Sequence, residues 1–240
     1  MPRSSIRFTG SDTRVGFFED LQQATTAERA LLLSAPIIQD ALESRIRLHQ
    51  YVAFLSQAYH HVRHTVPLLM ACGSRLPARL GWLRQATADY IAEESGHEEW
   101  ILSDIAACGA DAEAVRASLP NASTEMMVAY AYHQIDRCNP VGFFGMVQVL
   151  EGTSVAVATA AAGGIGAALG LPEQAFSYLR SHGSLDVEHV GFFQNLMDRL
   201  EEPDDRAAVL HCARRFYRLY GDVFRSLPTP DAHQETLSHA

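Results

Sequence analysis

The chain has no lysine: all 19 of its basic residues are arginine. Without an ε-ammonium there is no Schiff-base lysine, no lysine nucleophile and no phosphate loop ending in Gly-Lys-Ser/Thr, so pyridoxal, kinase-like and P-loop chemistries are excluded together. Cysteine is scarce too. Cys72, Cys108, Cys138 and Cys212 stand far apart with no Cys-x-x-Cys pair, which argues against zinc knuckles and thioredoxin-type motifs and for a reduced, cytoplasmic setting. Positive charge is outnumbered by 28 Asp and Glu, leaving a net charge of −9, a poor basis for gripping nucleic acid or anionic lipid. The first residues, Met1-Pro-Arg-Ser-Ser-Ile-Arg, lack the apolar stretch of a signal peptide. Val155 to Leu171 carries no charge, but it is mostly Ala and Gly and stops at Pro172, so a buried helix is expected there and no membrane span.

What is present is helical. At 240 residues and 48% hydrophobic, the chain can bury one sizeable core, and apolar residues recur at helical spacing nearly throughout. The pattern predicts a polar arm over 1–35 with a short helix at 12–33, a helical domain over 36–228, and a frayed polar tail over 229–240. Long helices are expected near 36–72, 77–108, 123–137, 140–170, 172–201 and 204–227. Pro140, Pro172 and Pro203 stand where a first helical turn tolerates proline, and Asn121 to Thr124 offers N-caps. In the first long helix Leu48, Leu55, Val62 and Leu69 recur at heptad spacing and mark the packing face. His60, His61 and His64 fall about 100° or more away from it and read as solvated or flank-packed, not as ligands.

Three places put ionisable groups where a core is expected. Glu151 is the sole charge between Arg137 and Glu173 and shares a helical face with Phe144, Val147, Val155 and Ala158. A carboxylate there costs on the order of several kcal/mol unless a cation faces it or it takes up a proton. Within Glu93-Glu94-Ser95-Gly96-His97-Glu98-Glu99, Glu94 projects with Leu83, Tyr90 and Ile101, and His97 follows on the same inner side. Glu-x-x-His pairs of this kind supply ligands in bundle-type di-iron sites. His182, Asp186 and His189 form a stripe with members one turn apart, while Glu188 points the other way. Singly, each has a plainer explanation: an Arg-paired or protonated glutamate, an acidic solvated face, a surface His-Asp-His ladder. Together they offer three carboxylates and three imidazoles without a thiolate, a set better suited to iron or manganese than to structural zinc. Tyr90, Phe143, Phe144, Phe192 and Phe193 are near these positions and are candidate walls of a substrate pocket.

The succession Glu94-x-x-His97, Glu151-Gly-Thr-Ser, then His182-x-x-x-Asp186-x-x-His189 leading into Phe192-Phe193 resembles the heme-oxygenase-like di-iron oxidases and oxygenases. These iron-containing redox enzymes are related in fold to TenA and PqqC proteins, and the resemblance runs over about residues 40–225. It implies an all-α bundle of about seven helices, often a homodimer. It also implies two Fe(II)/Fe(III) ions on Glu94, His97, Glu151, His182, Asp186 and His189, and dioxygen-dependent oxidation of a small amino-acid-like or fatty-acid-like substrate. An external electron donor is needed wherever the reaction consumes more electrons than the substrate holds. Some members carry a further acidic ligand on the first long helix, for which this chain has no equivalent. Other activities share the fold. A TenA-type thiaminase needs a cysteine nucleophile, for which Cys138 is the candidate; a heme-degrading oxygenase needs an early histidine and a glycine-rich helix, for which His49 and Gly163-Gly164-Ile165-Gly166 stand. A non-catalytic binding protein on the same fold would take up little iron.

Overall fold

Proline, glycine and a single left-handed serine cut the predicted long helices into shorter ones. The computed structural model describes residues 16–229, the side chains of 182–189 excepted. Among the described residues there are twelve α-helices, more than the about seven expected. They are α1 Phe17–Ala24, α2 Thr26–Leu33, α3 Pro36–Leu42, α4 Leu48–Val62, α5 Thr65–Arg75, α6 Gly81–Glu94, α7 His97–Ala107, α8 Ala112–Ala117, α9 Ala122–Arg137, α10 Phe144–Leu169, α11 Ser177–Asp198 and α12 Pro203–Arg225. Residues 1–15 of the expected N-terminal arm and the expected tail beyond 229 lie outside the described residues, while the short helix expected over 12–33 is seen as α1 and α2.

The predicted helix over 36–72 is in fact three. Ser44 adopts a left-handed φ of 57°, and the Arg45 N–H closes the turn on the Asp40 carbonyl at 2.8 Å. Further on, Pro67 has no N–H to give and its ring would crowd the Arg63 carbonyl four residues back. The chain therefore turns at 63–64 and restarts at Thr65. The predicted helix over 77–108 breaks at Ser95-Gly96, where Gly96 has a φ of 93° that a side chain would make costly. The short helix α8 was not expected; Asp111 starts it by accepting from the Ala114 N–H at 2.9 Å.

Helix α10 is the axis of the molecule. It packs lengthwise against α11 and α12 and is crossed by α3. The crossing needs a glycine, because a Cβ on Gly164 would sit 2.0 Å from the Ala41 carbonyl oxygen. With its preceding turn, Pro140–Leu169 is long and apolar enough to cross a membrane by length and composition, yet 56% of an apolar 18-residue stretch within it is buried inside the protein, as in a core helix. Its own Val149 is buried together with Leu55, Leu68, Leu83, Ile101, Val209 and Phe216 of the other helices, and α1 and α2 add Leu21 and Leu32. Two aspartates are buried as completely as the leucines: Asp104 on α7 and Asp205 on α12. Each fastens the start of a long helix.

Candidate metal centre

Glu94 is the last residue of α6 and His97 the first of α7. They meet because the chain reverses hand at Gly96, not because they share one continuous helical stripe. The bend brings Glu94 Oε2 to 3.0 Å from His97 Nδ1. The imidazole is buried and stacked on Trp100, with ring centroids 4.1 Å apart at 26°, so its plane is fixed before any ligand arrives. Glu151 comes from α10 and, with Glu94 and Tyr90, opens onto a single cavity of about 150 Å³. Burial, then the charge and hydrogen bond of Glu151, then the charges of Glu94 and Glu93 push the Tyr90 hydroxyl far above the usual phenol range. It stays protonated and can donate to Glu151.

The rest of the cavity is largely hydrocarbon, with Ile37 and Ile38 from α3, Leu68 and Leu69 from α5, and Ala158 and Ala161 from α10 on its walls. Among the described residues no arginine and no cysteine lines it. Tyr90 and Phe143 are on the wall; Phe144, Phe192 and Phe193, expected beside them, are not. Phe144 is buried in the core next to Phe143, Phe193 turns edge-on to Phe18 of α1, and Phe192 backs Tyr90 with ring centroids 5.3 Å apart.

One wall residue was set aside in the sequence pattern. His61 is buried, lies edge-on to Tyr220 and lines the cavity. His60 and His64 are held on the flank instead, by the Ser118 hydroxyl at 2.9 Å and the Tyr132 hydroxyl at 3.2 Å. Burial, with the Arg63 charge, lowers the pKa of both. The helical wheel set His61 off the apolar seam as solvated or flank-packed, whereas it is buried on the cavity wall. It could not show that α4 and α5, broken apart at 63–64, both wall the cavity.

Among the described residues, no three His, Cys, Asp or Glu side chains gather closely enough to hold an ion. Glu94 and His97 are brought together and Glu151 opens onto the same cavity, while the side chains of His182, Asp186 and His189 lie outside the described residues. The described donors are two carboxylates and one imidazole with no thiolate, a nitrogen and oxygen set that fits iron.

The model of a family described as iron-containing redox enzyme matches residues 52–221. The chain belongs to that family. Membership implies iron and oxidation–reduction chemistry. Among solved structures, this chain is similar to a domain of unknown function with a heme oxygenase-like fold from Shewanella denitrificans OS217. The TM-score is 0.78 at 23% identity, covering 94% of this chain and 95% of that one. A TenA homologue from Pseudomonas syringae pv. tomato DC3000 matches with a TM-score of 0.72 at 11% identity, over 93% and 98% of the two chains. Heme oxygenase from Leptospira interrogans matches at 0.72 and 14% identity, over 89% and 100%. At these identities the likeness establishes the all-α, heme oxygenase-like fold. No curated protein matches the chain by sequence.

Proposed function

We propose that the chain is a non-heme di-iron oxidase or oxygenase that acts with dioxygen on a small, largely apolar substrate. The observation that carries this reading is that Glu94 and Glu151, from two different helices, open onto one hydrocarbon-walled cavity with His97 3.0 Å from Glu94. Glu94, His97 and Glu151 would hold the metal together with His182, Asp186 and His189, and iron bound there supplies activation of dioxygen. The protein's own part is positional. Trp100 holds the His97 ring, the Tyr90 hydroxyl orients Glu151, and the apolar walls keep water from the reacting groups. Of the two substrate classes the family resemblance implies, the cavity favours the fatty-acid-like one. A fatty acid's hydrocarbon chain would be buried against the Ile, Leu and Ala side chains of the walls, a contact that a short polar amino acid could not make.

Two readings on the same fold receive less support. The thiaminase type needs a nucleophilic cysteine in the pocket, and Cys138 is exposed and absent from the cavity wall. The heme-degrading type needs His49 and the glycine-rich segment at the ligand. His49 does not line the cavity, and Gly164 is taken up by the α3 crossing.

The test is anaerobic loading with ferrous iron, a count of bound metal, then oxygen with a panel of straight-chain fatty acids and amino acids. Two ions per chain and oxidation of a fatty acid are expected. Glu151→Ala and His182→Ala are each expected to abolish uptake while leaving the helical circular dichroism intact. Wild-type protein that binds no iron, or variants that bind it unchanged, would refute the assignment.

A further inference from the structure

Helix α11 carries His182, Asp186 and His189, and its start is tied down by two other helices. Asp104, in the last turn of α7 and wholly buried, accepts from the Ser177 N–H at 3.1 Å and the Tyr178 N–H at 2.9 Å. It also accepts from the Ser177 hydroxyl in a short contact. Ser177 and Tyr178 are the first two residues of α11, so their N–H groups have no partner within the helix. From α4, the buried Tyr51 hydroxyl donates to the Ala175 carbonyl at 2.6 Å, in the turn just before α11. Three helices therefore meet in a polar knot at 175–178. Asp104 is also two helical turns beyond His97 on α7 and, at about 100° per residue, faces nearly the same way. The helix that presents His97 thus also fixes where α11 begins.

We propose that Asp104 is a positioning residue for the metal centre: its grip on the Ser177 and Tyr178 amides sets the axial register of α11, the helix whose sequence carries His182, Asp186 and His189. This rests on the di-iron reading above. The leverage is geometric. A slip of α11 by one residue moves each of its side chains about 1.5 Å along the axis and about 100° around it. Ligand atoms must stay within about 0.2 Å of their ideal distances, so a far smaller displacement than one residue is enough to weaken the site.

The experiment uses the full chain, metal-free, as wild type, Asp104→Ala, Asp104→Asn and Arg79→Ala. The last variant loosens a different helix start, that of α12. Each is titrated anaerobically with ferrous iron and separately with cobalt(II), whose ligand-field bands report donor number and geometry. Circular dichroism and amide hydrogen exchange over 177–190 are followed in parallel. Asp104→Ala is expected to weaken uptake by about tenfold or more, to shift the cobalt bands, and to speed exchange at the start of α11, with helical content unchanged. Asp104→Asn keeps one acceptor oxygen and is expected to fall between. Arg79→Ala is expected to melt earlier and yet bind metal as wild type does. If Asp104→Ala only melts earlier, with wild-type uptake and cobalt spectrum, the positioning role is overturned and the di-iron reading stands. If the wild type itself takes up no metal, the functional reading falls and this proposal with it.

Discussion

Asp104 and Asp205 are equally hidden from water and do the same local job, yet they are supported in opposite ways. Asp205 lies in the first turn of α12 and takes a two-pronged grip from Arg79, at 2.7 and 3.1 Å, plus the Asn139 side-chain amide at 2.9 Å. Burial alone would raise its pKa, but the Arg79 and Asn139 hydrogen bonds and the Arg79 charge outweigh that and hold the carboxyl below its usual value. Asp104 has two backbone amides and a serine hydroxyl. For it burial wins, and the pKa is raised in spite of those bonds. The difference separates two kinds of anchor. One is a charge-compensated clamp whose members are not on the cavity wall; the other is an uncompensated cap whose place follows from which helix it must hold.

The largest expected effect breaks the clamp. Asp205→Ala removes the partner of a half-exposed Arg79 and strands the Asn139 amide. Because the guanidinium can turn to water, the cost is expected to be about 2–3 kcal/mol, below that of a pair buried on both sides. Asp104→Ala leaves two amides and a hydroxyl without their acceptor but also relieves a carboxylate that burial disfavours. Its cost is expected to be smaller, about 1–2 kcal/mol. Urea denaturation of the metal-free proteins at neutral pH measures both. The reverse order would mean that the cap, not the clamp, is the main fastening.

The sign of the pH dependence sharpens the contrast. A raised folded pKa means the native protein binds the extra proton, so the stability linked to Asp104 is present in full below the unfolded aspartate value of about 3.9. It is lost as pH rises through the raised folded pKa. Asp205 is the mirror case, with stability present above about 3.9 and lost as pH falls through its depressed folded pKa. Relative to Asp104→Asn, the metal-free wild type is therefore expected to gain stability as pH drops from 7 toward about 4. Relative to Asp205→Asn it is expected to hold a constant advantage over that range and to lose it only at lower pH. Melting temperatures across the range read both slopes, and parallel curves for the two variants would contradict the assignment of opposite shifts.

How much of this was legible in the sequence depended on whether the cause was local. The uncharged run around Glu151 marked α10 as central, while the glycine-rich segment near its end, a candidate for the helix of a heme-degrading oxygenase, instead admits the α3 crossing at Gly164. Glu94 and His97 were found for an incomplete reason, since a wheel drawn through Gly96 cannot show that the helix ends there. Pro67 was a readable stop that the heptad of Leu48, Leu55, Val62 and Leu69 obscured, and His61, set aside by its angle from that heptad, is a wall residue. Neither aspartate could be read as an anchor. Asp104 finds its partners 73 and 74 residues away and Asp205 finds Arg79 at a separation of 126, distances over which helical periodicity says nothing.

The smallest expected effect isolates the weakest strand of the cap. Ser177→Ala deletes the hydroxyl that donates to Asp104 and leaves both backbone amides in place. One neutral donor is lost from a buried carboxylate that retains two others, so the cost is expected to be about 0.5–1 kcal/mol. That hydroxyl also lowers the Asp104 pKa, so removing it raises the pKa further and extends to higher pH the range over which stability falls. Register should survive, because the amides that define where α11 begins still have their acceptor. Metal uptake equal to wild type, beside a small fall in melting temperature, is the expected pair of readings; a loss of uptake matching that of Asp104→Ala would show that the serine, not the backbone, carries the positioning.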